Sequence, residues 1–161
     1  MEKRKRTRLE EFDYSSHGAY FVTLCTKDRR CILGEIVGAA APGGPQIRLN
    51  KTGEVVEKYI ATASKKPGIA VEHCVIMPNH VHLLIFVTAD AGPPGAAAPT
   101  KAAIPEAVRA LKRLVNREVG QDIWQRGYYD HIIRNEKDYL THWQYIDENP
   151  LKWADDEYFE R

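Results

Sequence analysis

Residues 71–87 read VEHCVIMPNHVHLLIFV. The apolar and β-branched run Val71–Met77 predicts a strand, Pro78-Asn79 is turn chemistry, and His80–Val87 predicts a strand returning antiparallel beside the first. Strand side chains alternate faces, so His80 and His82 leave the same side about 7 Å apart along the strand. That spacing suits two imidazoles converging on one metal ion. It is equally met by histidines hydrogen bonded at a sheet edge, and a His-x-His pair alone does not decide between them.

Outward from this hairpin, Gly18–Thr26 (GAYFVTLCT) predicts a further strand. Ile32–Val37 and Gln46–Leu49 bracket the Gly/Pro/Ala segment Gly38–Pro45, which predicts a peripheral hairpin. Asn50 is placed to cap a helix running to about Ser64, with Val55, Val56, Tyr59, Ile60 and Ala63 on one stripe. Thr88–Lys101 (TADAGPPGAAAPTK) is low in complexity and predicts a flexible loop. Pro105 opens a helix to about Val119. Tyr128–Ile133 is a short strand, and a last helix runs from about Glu136 to Glu148, stopped by Asn149-Pro150. Setting aside the hairpin and the last helix, the order is βαββαβ, an α+β ferredoxin-like sheet with helices on one face. The strand bearing His80 and His82 is then central, and the second face is left for a partner or a site. The chain is expected to be one domain over residues 1–161, with the flexible loop at 88–101.

Hydrophobic content of 43% and charged content of 28% are those of an ordinary globular protein. No apolar stretch approaches the roughly 20 residues of a membrane span, and no apolar signal segment follows the charged start. Cys25, Cys31 and Cys74 form neither a disulfide framework nor a zinc ribbon, so a reducing cytoplasm is the expected location. A net charge of +1 does not advertise nucleic-acid binding. Its distribution is uneven: Lys3, Arg4, Lys5, Arg6 and Arg8 crowd the start, and Asp155, Asp156, Glu157 and Glu160 crowd the end. The basic arm reads as a phosphate contact or as a solvated terminus.

Two helices resolve into separate faces at about 100° per residue. With Leu140 as origin, Trp143, Tyr139 and Ile146 fall near 300°, 260° and 240° (all approximate), an apolar stripe, whereas Tyr145 and Asn149 fall near ~140° and ~180°. Tyr145 and Asn149 therefore share the opposite face at i, i+4 spacing. In the helix at 105–119, Val108, Leu111, Leu114 and Val115 form the buried stripe. Arg109, Arg113, Asn116 and Arg117 gather opposite, with Lys112 at the margin, as a phosphate-tracking face or a solvated one.

Taken together, these segments resemble the REP-associated tyrosine transposases of the single-tyrosine HUH class of DNA-processing enzymes. The matching blocks are DYSSHGAYFVTLCTKDRRCILGEI at 13–36, VIMPNHVHLLI around His80-Val81-His82, IWQRGYYDHIIRNEKDYL at 123–140 and WQYIDENPLKW at 143–153. The family's nucleophile sits in a Tyr-Ile-x-x-Asn-Pro context, here Tyr145-Ile146-Asp147-Glu148-Asn149-Pro150, so the resemblance selects Tyr145. It implies that His80 and His82 hold a divalent metal, Mn2+ or Mg2+, with Asn149 as third ligand where related transposases carry Gln. It further implies single-stranded DNA hairpins formed by REP-like palindromes as substrate, cut through a 5′-phosphotyrosine link.

Two imidazoles favour manganese over magnesium as the activating ion. Lys3, Arg4, Lys5, Arg6, Arg109, Arg113, Arg117, Arg126 and Arg134 are candidate DNA contacts, which position phosphates without reading bases. Trp124, Tyr128 and Tyr129 are candidate stacking residues, with core packing the alternative use. His142 is a candidate assistant to the tyrosine. Monomer and homodimer both remain open, as do a replication initiator or relaxase of the same class, a domesticated hairpin-binding protein without turnover, and a structural module.

Overall fold

In the computed structural model, which describes residues 18–88 and 103–159, the elements follow in the order β1 (Gly18–Cys25), β2 (Gly34–Val37), β3 (Gln46–Leu49), α1 (Lys51–Ala63), β4 (Ile69–Ile76), β5 (His80–Val87), α2 (Ala103–Val119), β6 (Tyr129–Ile132) and α3 (Glu136–Glu148). Four strands form one antiparallel sheet in the order β4-β5-β1-β6, while β2 and β3 pair separately as the peripheral hairpin. This is the expected ferredoxin-like arrangement, and β5 is central.

The sheet is sandwiched because its middle strands are apolar on both faces. Tyr20, Val22 and Leu24 of β1, with Val81, Leu83, Ile85 and Val87 of β5, pack against Val56 and Ile60 of α1 and Ile104, Val108, Leu111 and Val115 of α2. The alternate residues Phe21 and Leu84 pack on the opposite face against Ile146 of α3. Thus α1 and α2 cover one face, as expected, and α3 lies across the other.

Local chemistry explains most boundaries. Asn50 caps α1, its side-chain oxygen accepting from Gly53 N at 3.0 Å. A Cβ at Gly53 would stand 2.0 Å from the Leu33 carbonyl oxygen, so only glycine lets α1 start against the chain entering β2. One boundary differs from expectation: α2 begins at Ala103, two residues before Pro105. Pro105 still lies in the first turn, where the missing N–H has no helical acceptor to lose. Trp124 is 3% exposed in the core, which removes it from the candidate stacking residues, and Tyr128 packs part-buried against that core. Tyr129 is exposed. The basic arm at 3–8 and the loop at 88–101, except for Thr88, lie outside the described residues.

Candidate active site

The site begins with the register of β1 on β5, which sets Thr23 opposite His82 and Cys25 opposite His80. Both imidazoles are fully buried, with ring centroids 4.6 Å apart. Each is held by its Nδ1. His80 Nδ1 is 2.8 Å from Asn79 Oδ1, and His82 Nδ1 is 2.8 Å from the Thr23 hydroxyl. Phe21 stacks on the His82 ring at 5.0 Å. The sheet therefore fixes both rings from behind and turns both Nε2 atoms to the face that α3 covers.

α3 starts at Asn135, whose side chain accepts from Asp138 N at 2.8 Å. Its sheet-facing arc is wider than the apolar stripe alone. Ile146 is buried in the second core cluster and Asn149 is 2% exposed, whereas Leu140 at the wheel origin is 56% exposed. The polar pair separated by the helical wheel thus does not face away from the sheet. Tyr145 comes to 5.2 Å from the His82 ring and stays 38% exposed, while Asn149 Oδ1 reaches 3.3 Å from His80 Nε2. Asn149 also hydrogen bonds the Tyr145 hydroxyl.

Electrostatics favours neutral rings with lone pairs turned inward. Burial pushes His80 down to about 4 from its ordinary 6.5, opposed by Asn149 Oδ1, which would accept from Nε2–H of the charged ring. Burial likewise holds His82 well below its ordinary value, helped by the charges of His80 and His142. His82 Nε2 has no hydrogen-bond partner among the described residues, an expensive state for a buried nitrogen. Asp156, with a side chain only 3% exposed, brings Oδ2 to 3.9 Å from His80 Nε2. His80 Nε2 thus meets an amide oxygen and lies near a carboxylate, with the His82 ring 4.6 Å from its own, and these residue types fit a divalent cation. Tyr145 is pushed up by burial and by the Asp156 charge, with only the Asn149 hydrogen bond opposing. The protein alone does not activate this phenol.

A family model, "Transposase IS200 like", matches residues 15–149. The chain belongs to the IS200-like transposase family. A Haemophilus influenzae protein of uncharacterised function is 33% identical over 177 residues, covering 97% of this chain and 93% of that one. A second protein of that organism, provisionally named a REP-associated tyrosine transposase, is 27% identical over 146 residues, covering 87% and 74%. A REP-associated tyrosine transposase solved with a REP hairpin shares the fold with TM-score 0.62 at 22% identity, covering 94% of this chain and 74% of its own. The chain is thus an IS200-like transposase whose fold is shared by a REP-associated tyrosine transposase.

In this transposase the other expected residues divide by layer. Arg109, Arg113 and Arg117 are exposed on α2, in the helical layer on the far side of the sheet from His80 and His82. Lys112 and Asn116 are structural: Lys112 Nζ donates to the carbonyls of Gln125 and Gly127, and Asn116 bonds Asp122 at 2.9 Å and Ile123 N at 3.1 Å. Arg126 and Arg134 are exposed on either side of β6. His142 packs on Phe21 at 4.7 Å and gives its Nδ1 to the Asp138 carbonyl at 2.8 Å.

A second group, His131, Asp138 and His142, brings ligand-type atoms within 4.8 Å of one another. Here the Asp138 carboxylate already takes His131 Nε2 at 2.9 Å and Arg134 N at 3.0 Å, with His142 Nδ1 at 3.1 Å. The cluster offers N–H groups to a carboxylate rather than free lone pairs, and reads as a clamp of β6 onto the start of α3. Thr23, Asn79, Asp156 and Tyr158, whose ring lies 4.6 Å from that of His80, are site neighbours that the motifs did not single out. For Asp156 the only signal was its place in the acidic run Asp155–Glu160.

No helix among the described residues is long and apolar enough to cross a membrane.

Proposed function

We propose that the chain is a metal-dependent endonuclease and strand transferase acting on single-stranded hairpin DNA of the REP type through a 5′-phosphotyrosine link. The observation that carries this reading is the pair of buried rings of His80 and His82, 4.6 Å apart, with Asn149 Oδ1 3.3 Å from His80 Nε2, His82 Nε2 unpartnered among the described residues, and a half-exposed Tyr145 beside them. His80, His82 and Asn149 would hold the metal, Mn2+ in preference to Mg2+, and it would supply Lewis-acid polarisation of the scissile phosphate.

The chain's own residues do the rest. Tyr145 is exposed enough to meet a backbone phosphate, and its oxygen is the nucleophile. The Tyr145 O–P bond forms as the bond from phosphorus to the 3′ oxygen breaks. The phenol loses its proton, and the departing 3′ oxygen gains one to become a 3′-OH. The phosphodiester energy stays in the covalent link, so a 3′-OH can reverse the step and join a strand. Asn149 touches both His80 and Tyr145, which ties nucleophile position to the ligand set. Support for a hairpin substrate comes from the solved relative bound to a REP hairpin. Arg126, Arg134 and the arm at Lys3–Arg6 are proposed phosphate contacts, and α2 a more distant one.

The test is incubation with single-stranded hairpin DNA and Mn2+, followed by a search for an SDS-resistant adduct. Wild type is expected to form it, faster with Mn2+ than with Mg2+. Tyr145→Phe is expected to abolish the adduct and spare hairpin binding. An adduct persisting in Tyr145→Phe overturns the nucleophile assignment, and a wild type indifferent to Mn2+ overturns the metal assignment.

A further inference from the structure

Asn79 sits fully buried in the turn between β4 and β5, immediately before the first imidazole. Turn chemistry accounts for an Asn at such a position but not for what its side chain does. Nδ2 donates to the Arg29 carbonyl at 3.0 Å and to the Tyr158 carbonyl at 2.6 Å. Both partners are acceptors only, so the amide has one permissible orientation: exchanging its oxygen and nitrogen would set an oxygen against two carbonyls. Oδ1 is therefore the atom 2.8 Å from His80 Nδ1. An amide oxygen accepts and cannot donate, so the hydrogen in that contact belongs to Nδ1. A neutral imidazole carries a single N–H. Nε2 is left bare, and it points at Asn149 Oδ1, another lone pair, at 3.3 Å.

We infer that Asn79 is a positioning residue that locks His80 in its Nδ1–H tautomer and keeps Nε2 as the nitrogen available to a metal. The inference rests on the reading of His80, His82 and Asn149 as a metal-binding set. It separates the two imidazoles, which the His-x-His pattern treats as equivalent. Thr23, behind His82, carries a hydroxyl that both donates and accepts, so it orients that ring without dictating its tautomer.

The same amide fixes more than one ring. The Arg29 carbonyl that it holds belongs to a turn in which Asp28 and Arg29 both adopt left-handed φ, 55° and 52°, an uncommon conformation for such residues. The Tyr158 carbonyl belongs to the segment whose ring packs on His80 at 4.6 Å. One buried side chain thus joins the turn after β1, the first ligand and the segment beyond α3. A hydrogen-bond partner on the far nitrogen of a metal-ligating histidine orients its ring and commonly influences affinity 10–100-fold.

The measurement is long-range proton–nitrogen correlation NMR of the histidine rings in the full metal-free chain, with His80 assigned from a His80→Gln spectrum. The expected pattern is a protonated Nδ1 and a pyridine-like Nε2 at His80. An Nε2–H ring at His80 in the wild type overturns the inference without any variant at position 79. In folded Asn79→Leu, which offers no acceptor, Nε2–H is expected to become populated and the Mn2+ dissociation constant, read by calorimetry, to rise roughly 10–100-fold. A folded Asn79→Leu with unchanged tautomer and unchanged Mn2+ affinity also overturns it, and if that variant does not fold the wild-type spectrum decides. A wild type that shows the Nδ1–H ring but binds no Mn2+ sustains the lock and overturns the metal reading.

Discussion

His80 illustrates how a single side chain carries both stability and chemistry. Its folded value of about 4 lies below the ordinary 6.5, so between these the unfolded chain binds the extra proton. Stability of the metal-free protein is therefore expected to rise with pH across that window and to be lost as pH falls through it. The loss from this one group is on the order of 3 kcal/mol between pH 7 and pH 4. Urea unfolding at stepped pH reads it, and a flat profile would show that the ring is not buried as the neutral form. Thr23 offers a complementary test on the second ring. Thr23→Val keeps the shape but leaves His82 Nδ1 without its 2.8 Å partner. A stability loss of about 1–3 kcal/mol is expected, with Mn2+ affinity weakened roughly 10–100-fold. Unchanged Mn2+ binding in that variant would mean that the hydroxyl does not orient the ligand.

α3 is the element that turns two buried histidines into a site. Its apolar stripe and its polar pair both face the sheet, so Ile146 is the spacer that sets how closely Tyr145 and Asn149 approach β5. Ile146→Ala removes a 1% exposed side chain from between Phe21 and Leu84, at an expected cost of about 2–5 kcal/mol. Adduct formation under conditions where the variant remains folded is expected to fall well below wild type, because the spacer has gone while both polar residues remain. An Ile146→Ala protein that is destabilised yet cleaves at the wild-type rate would show that α3 docks without it. The wheel separated Tyr145 and Asn149 from the stripe correctly, but it had no means of showing that the sheet also meets their face. A helical period reports which residues share a side. What stands opposite that side is decided by the neighbouring strand, here by His80, whose Nε2 lies 3.3 Å from Asn149 Oδ1, and by His82, whose ring lies 5.2 Å from that of Tyr145.

At the scale of the whole molecule, the sheet separates the α3 layer, which holds the candidate site, from the layer of α1 and α2. Arg109, Arg113 and Arg117 lie exposed in the helical layer, away from Tyr145. Replacing all three by Ala is expected to flatten the salt dependence of hairpin binding, by about 2 in the log–log slope if each contacts one single-stranded phosphate. Mn2+ affinity is expected to stay unchanged. An unaltered slope would assign α2 to solvent and route the DNA elsewhere. The βαββαβ order, the central position of β5, the Asn50 cap and the span of α3 were all legible in the sequence, because each rests on local period, turn chemistry or capping. His80, His82, Tyr145 and Asn149 were legible too, as two local pairs at strand and helix spacing. Their meeting was not legible from spacing: Tyr145 lies 63 positions beyond His82, with the whole of α2 and β6 between. Still less were the contacts of Asn79 and Asp156, which local pattern shows only as a turn residue and a member of an acidic run. Burial makes the difference, since a polar atom taken out of water must find a partner, and only the tertiary structure shows which atoms have found one.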